Sequence, residues 1–334
     1  VAISAQVRSY FGSCAMAAAD GRALKRPAPS EAGEQRPLPR GGAADSGLAA
    51  TYRLNDGREM PQVGFGVYRV PRGRTCYEAV RAALAEGYRM VDTAKLYGNE
   101  ADVGQAVRDS GLPREEVFVT TKVWDSDHGY AEALKAGRRS VERLGLGYVD
   151  LLLIHSPGRS EGRIVETYDA LLALQEEGLV RSVGVSNFGV PHLEALAAAG
   201  RPAPVVDQIE MHPWVYAKRR GLVDYCAERQ ILVTAYGSLF SGQEGALGQR
   251  PLAAAAAAHG RSPAQVLLRW ALQKGFQVIP KSVHKERIRE NAQVFDFELT
   301  ASEVDALDGM HGKLGEYWNP LSWPVHLGNL SSAR

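Results

Sequence analysis

Beyond residue 50 the hydrophobic positions of the chain come in two alternating kinds. Short runs rich in Val and Ile lie near Val63 to Gly66, Tyr88 to Asp92, Val117 to Lys122, Val149 to His155, Ser182 to Ser186, Val205 to Glu210, Ile231 to Tyr236 and Gln277 to Lys281. Each reads as a buried strand. Between them apolar residues recur at helical steps: Leu134, Val141 and Leu144 share one face, and Leu267, Trp270 and Ala271 share another. Gly87, Gly145, Gly178 and Gly275 stand where these helices should stop. Ahead of the first strand, Asn55, Asp56 and Gly57 form a turn signal between two short candidate strands, predicting an N-terminal hairpin.

Strand–helix alternation implies a parallel sheet, and eight such units in about 240 residues match a closed (β/α)8 TIM barrel with an N-terminal β-hairpin and a C-terminal loop. The competing architecture, an open dinucleotide-binding sheet, calls for G-x-G-x-x-G after its first strand. The chain has "GFGVYR", with Arg69 in place of the third glycine. No sequence repeat of 20 to 50 residues is evident beyond this alternation.

The first 50 residues lack any apolar period and are rich in Ala, Gly, Pro and Arg, so the expected organisation is a flexible tail over 1–50 and one barrel domain over 51–334. A transit segment is the alternative for the first fifteen, which are acid-poor and carry Arg8, Ser9 and Ser13. The chain starts at Val1, which makes Met16 a candidate initiator. With 39 Lys and Arg against 38 Asp and Glu, the net charge of +1 offers no overall field for nucleic acid or acidic lipid. No apolar run approaches a bilayer span. Cys14, Cys76 and Cys226 are too few and too scattered for a disulfide scaffold or a cysteine zinc site, and a reducing, cytoplasmic setting is expected.

Barrel enzymes carry their chemistry where strands exit, because the loops there converge on one mouth. The exits here hold Asp92, Lys122, His155, Ser186 with Asn187, Gln208, Tyr236, and Lys281 with Ser282. Any one alone is what a solvated strand end looks like; together they make a site. Tyr97, five residues past Asp92 in "VDTAKLYGNE", adds a phenol. With an ordinary pKa near 10, a phenol is a poor proton donor at neutral pH. The Lys122 ammonium is expected to lower that pKa, Asp92 to hold the ammonium, and His155 to hydrogen-bond a substrate oxygen. Such a set can reduce a carbonyl.

In order along the chain, "VDTAKLYGNE", "TTKVW", "LLLIHSP", "SVGVSNF", "VVDQIEMHP" and "VIPKSVHKERIRENAQVFDFEL" resemble the aldo-keto reductase superfamily over about Thr51 to Pro320. The resemblance implies Tyr97 as general acid in reduction and base in oxidation, Asp92 and Lys122 tuning it, and His155 orienting the carbonyl. It implies a nicotinamide cofactor across the barrel mouth, its carboxamide held by Ser186, Asn187 and Gln208 and its ring stacked on Tyr236. Glu290 and Asn291 match positions near the adenine. Lys281, Ser282 and Arg287 suit the extra phosphate of NADPH (NADP+), which NADH lacks. Val283 belongs to the same stretch. The run "YGSLFSGQEG" departs from the family, placing Gly237 where a serine is usual, so among side chains of that loop only Leu239 is counted.

Trp124, beside Lys122, joins His155 as a substrate-binding candidate, and Trp318 and Trp323 are either an apolar wall or ordinary packing. The short segment after His155 predicts an open mouth for small aldehydes or ketones. Two other functions fit the pattern less well: a cofactor-binding regulatory or structural barrel without turnover, and a zinc hydrolase, for which His155, His212 and His284 lack an H-x-H or H-x-x-x-H pair. No metal is expected. A monomer is the state the resemblance implies.

Overall fold

The computed structural model describes residues 47–158, 163–243, 245–311 and 318–325. The expected tail falls almost wholly outside the described residues. A hairpin of β1 (Thr51–Arg53) and β2 (Glu59–Pro61) comes first, antiparallel, with Tyr52 opposite Met60. Eight parallel strands follow: β3 (Phe65–Gly66), β4 (Met90–Asp92), β5 (Phe118–Val123), β6 (Val149–Ile154), β7 (Val180–Ser186), β8 (Val206–Glu210), β9 (Leu232–Tyr236) and β10 (Gln277–Val278). Each pairs with the next in chain order. The ends meet where Val63 bridges Val278, with Gly64 N–H donating to Val278 O at 2.8 Å and Gly66 N–H to Pro280 O at 3.1 Å. The fold is the (β/α)8 barrel.

Single helices α1 (Arg74–Ala85), α2 (Glu100–Arg108), α3 (Tyr130–Leu144), α4 (Ile164–Glu176), α5 (Val190–Ala198) and α6 (Pro213–Glu228) follow β3 to β8. Two helices, α7 (Arg250–His259) and α8 (Pro263–Gln273), separate β9 from β10; α9 (Lys285–Ala292) and α10 (Ala301–Asp308) come last. In α3 the buried residues Ala133, Ala136, Gly137, Ser140, Val141 and Leu144 fall on one stripe, with Leu134 half-buried at its flank. Gly145 ends the helix in the left-handed conformation, φ 61°.

Strand parity explains the site. One hydrophobic cluster fills the barrel and includes Met90, Phe118, Leu151, Leu153, Val206 and Leu232. Side chains two residues apart on a strand share a face, so the inward rows continue to Asp92, Lys122, His155, Gln208 and Tyr236. The opposite row, with Val119, Val123, Leu152 and Ile154, packs under the helices. At the exits the outward positions Val123, Ile154, Val185 and Ile209 stay apolar, while the inward face turns polar.

The hairpin plugs the other end of the barrel. Tyr52, Leu54 and Met60 join the inner cluster, Asn55 Nδ2 donates to Pro204 O at 3.1 Å, and Ser182 Oγ donates to Asp56 Oδ2 at 2.6 Å. The glycines of "GFGVYR" serve the closure seam: a Cβ on Gly64 would lie 2.8 Å from Met90 Sδ, and one on Gly66 would lie 2.8 Å from Ile279 O. Close packing across the seam accounts for both.

Candidate active site

At the strand exits Lys122 Nζ, fully buried, donates to Asp92 Oδ1 at 2.6 Å and to the backbone oxygen of Thr93 at 2.9 Å. It lies 3.4 Å from the Tyr97 hydroxyl and 5.0 Å from the centre of that ring. Burial pulls the Lys122 pKa down, and Asp92 opposes the fall. Two groups thus hold a charge that water does not reach. The loop carrying Tyr97 is clamped by Asn99, whose Oδ1 accepts from Thr93 Oγ1 at 2.7 Å and whose Nδ2 donates to Val67 O at 3.1 Å.

The Tyr97 ring is partly exposed at the mouth, while its hydroxyl end is enclosed. Burial first, and the Asp92 carboxylate second, push its pKa well above the ordinary phenol value. This corrects the expected lowering by Lys122: in the resting site burial and the Asp92 carboxylate set the direction, and Tyr97 keeps its proton. His155 stands edge-on to Tyr97, ring centroids 5.6 Å apart. Burial, and secondarily the Lys122 charge, drive its pKa well below the usual histidine value, so the imidazole is neutral. Its Nδ1 is sealed without a hydrogen-bond partner, leaving Nε2 as the nitrogen open to the mouth.

A second polar set borders the first. Gln208 Nε2 donates to Asp92 Oδ2 at 2.8 Å, Ser186 Oγ to Gln208 O at 2.7 Å, Asn187 Nδ2 to His155 O at 2.9 Å, and the Tyr236 hydroxyl to Asn187 Oδ1 at 2.8 Å. Asn187 adopts φ 60°, a conformation asparagine tolerates better than most residues. After Tyr236 the chain turns at Gly237, φ 66°, and Phe240 and Ser241 also take positive φ, so this loop is held in an unusual shape. Leu239 lies half-buried within it.

The last candidate group lies apart from the four residues Asp92, Tyr97, Lys122 and His155, at the end of β10 and in α9. Lys281 and Arg287 are exposed and form no ion pair among the described residues; Ser282 is buried, and its Oγ accepts from His284 N–H at 3.1 Å. Val283 is 41% exposed, while Glu290 is half-buried and Asn291 buried.

Residues 62–311 match the Aldo/keto reductase family. The chain belongs to that family. It is 47% identical over 259 residues to the 9,11-endoperoxide prostaglandin H2 reductase of Trypanosoma cruzi, covering 77% of this chain and 90% of the relative. It is 44% identical over 264 residues to the glyoxal reductase of Bacillus subtilis, covering 79% and 94%. Among solved structures, an aldo-keto reductase from a Medee basin deep-sea metagenome library superposes with a TM-score of 0.76 at 40% identity, covering 80% of this chain and 97% of that one. The Bombyx mori aldo-keto reductase in complex with NADP superposes with a TM-score of 0.71 at 36% identity, covering 78% and 92%.

Beside Asp92, Tyr97, Lys122 and His155 opens a cavity of about 490 Å³, lined by Trp124, Asp125, Ser126, His128, Gly158, Trp318 and Trp323. Trp124 stacks edge-on to His155 at 4.9 Å, and Trp318 lies 6.2 Å from Trp124 and 6.4 Å from His155. Both C-terminal tryptophans therefore form the wall. Tyr68, an exposed aromatic 5.0 Å from Tyr97, borders the mouth on another side. The sequence reading missed it, together with Asn99, His128 and the Thr93 carbonyl. Asn99 sits inside the quoted "VDTAKLYGNE" run, but a backbone ligand such as Thr93 O has no sequence signal. His212 is buried against Glu210 at 3.1 Å, whereas His284 is exposed; no three His, Cys, Asp or Glu among the described residues cluster as a metal site would.

Proposed function

We propose that the protein is an NADPH-dependent reductase of small aldehydes and ketones, with Tyr97 as general acid and the barrel of residues 51–334 as its working domain in the cytoplasm. One observation carries the reading: a protonated phenol, a buried ammonium–carboxylate pair and a neutral imidazole converge at one barrel mouth. The relative named glyoxal reductase and the neighbour crystallised with NADP support the substrate class and the cofactor type.

The residues present fit a nicotinamide dinucleotide. Asn187, Gln208 and Ser186 offer amide and hydroxyl groups beside the tetrad, Tyr236 an aromatic face, and Lys281 and Arg287 a cation pair with no protein counter-charge among the described residues. When bound, the cofactor supplies the hydride. His155 Nε2–H holds the carbonyl oxygen. As charge grows on that oxygen the Tyr97 hydroxyl gives up its proton, and the Lys122 ammonium, 3.4 Å away, stabilises the phenolate left behind. Asp92 keeps Lys122 charged although it is buried. Trp124, Trp318 and Trp323 exclude water from one side of the mouth.

The test is the rate of loss of reduced-cofactor absorbance with a panel of aldehydes and ketones, NADPH against NADH. Turnover that prefers NADPH agrees with the reading. Tight NADPH binding without turnover of any carbonyl would replace it with a regulatory barrel.

A further inference from the structure

His128 has no role in the chemistry above, yet it is placed like a working group. Its side chain is 8% exposed and lines the cavity shared with Trp124, Trp318 and Trp323. Trp124 and Trp318 pack against His155, so the cavity that His128 lines adjoins the group that orients the carbonyl. The His128 ring makes no hydrogen bond among the described residues: Nε2 is sealed in protein, and Nδ1 faces Gly158. Gly158 leaves room there, since a Cβ on it would come within 3.0 Å of Nδ1, and its φ of 77° disfavours any larger residue.

The two nitrogens are made unequal by Asp125. Its Oδ1 lies 3.9 Å from His128 Nε2 and is fixed by a 2.6 Å hydrogen bond from Ser156 Oγ. A carboxylate on that side favours the tautomer with its proton on Nε2, which leaves the Nδ1 lone pair facing the cavity as an acceptor. Burial brings the His128 pKa down to about 4, so the ring stays uncharged at neutral pH. No cation lines the cavity among the described residues, and Asp125 adds negative charge, so a carboxylate-bearing substrate is poorly served.

We propose that His128 Nδ1 accepts a hydrogen bond from a substrate hydroxyl, and that this cavity selects hydroxyaldehydes and hydroxyketones over unsubstituted carbonyl compounds of the same length. The inference rests on the proposed carbonyl reduction and adds a specificity determinant to it. A buried acceptor beside the tryptophan wall discriminates in this way because a partner without a hydroxyl leaves it unpaired.

The experiment measures initial rates with NADPH for glyceraldehyde and propanal in the wild type and in His128→Phe, His128→Asn and His128→Gln. The ratio of the two kcat/KM values cancels effects common to both substrates, and comparing that ratio among variants cancels aldehyde hydration. His128→Phe is expected to lower the ratio about three- to tenfold, the range of one neutral hydrogen bond, through KM for glyceraldehyde. His128→Asn, whose Oδ1 falls near the Nδ1 position, should keep most of the preference. His128→Gln, reaching toward Asp125 instead, should lose it and gives the same answer if His128→Phe does not fold. An unchanged ratio in an active His128→Phe or His128→Gln enzyme overturns the proposal, as does a fall carried by kcat alone. If the wild type turns over no carbonyl at all, the reading of the whole site fails, and this inference with it.

Discussion

Gln208 donates its side-chain amide to Oδ2 of Asp92 at 2.8 Å, while Oδ1 of the same carboxylate holds Lys122 at 2.6 Å. Asp92 therefore joins the ammonium beside Tyr97 to the polar set proposed to bind the nicotinamide. The junction is buried on every side: Asp92 is 2%, Gln208 3% and Lys122 0% exposed. A change on either arm should be felt on the other.

Removing the charge of Asp92 is the first consequence to measure. Asp92→Asn keeps the shape but leaves Lys122 without a counter-ion, and breaking a buried pair costs about 3–5 kcal/mol. Urea unfolding should show a loss of that size. A loss below about 0.5 kcal/mol would mean that the pair contributes nothing net.

Arg287→Ala should weaken NADPH binding about tenfold at low salt while leaving NADH binding nearly unchanged, because a charge-assisted contact to a phosphate is removed. Fluorescence titration with both cofactors checks this, and the gap should narrow as salt is added. Equal losses for both would place the phosphate elsewhere.

The C-terminal wall is held at the start of α5. Gly189 N–H donates to His192 Nδ1 at 3.0 Å, so Nε2 carries the proton that bonds Trp323 O at 2.9 Å. A Cβ on Gly189 would lie 2.1 Å from Leu321 O, a backbone atom that must move. Gly189→Ala should thus displace Trp318 and Trp323, raising KM for carbonyl substrates several-fold with a smaller change in kcat. Unaltered KM would show that the wall does not contact substrate.

His128 also predicts an acid sensitivity. Its folded pKa of about 4 lies below the ordinary value of 6.5. Below pH 6.5 the unfolded chain takes up a proton that the folded chain refuses, so stability present at neutral pH is lost as pH falls toward 4. The loss is on the order of 3 kcal/mol at most. In chemical unfolding across that window, His128→Asn should gain on the wild type by about this amount. Parallel stability curves would contradict the shift.

Much of this architecture was legible in the chain. The strands are written as continuous apolar runs such as Leu151 to Ile154, and the polar groups that end them, Asp92 and His155 among them, mark the exits. The Asn55-Asp56-Gly57 turn gave the hairpin for the same local reason. What stayed hidden depends on depth or on the backbone. The direction of the Tyr97 shift was misread because residue types show the nearby ammonium but not the burial of the hydroxyl. Thr93 acts through its carbonyl, and His128 becomes notable once Gly158, distant in sequence, opens the space beside it.

The central claim is that the Tyr97 hydroxyl delivers the proton. The most direct test is Tyr97→Phe, assayed for NADPH affinity and for single-turnover reduction of an aldehyde. Cofactor affinity should stay within about twofold and the rate should fall on the order of 10³-fold, the scale of a lost general acid. A rate within tenfold of the wild type, with the cofactor still bound, would contradict the assignment.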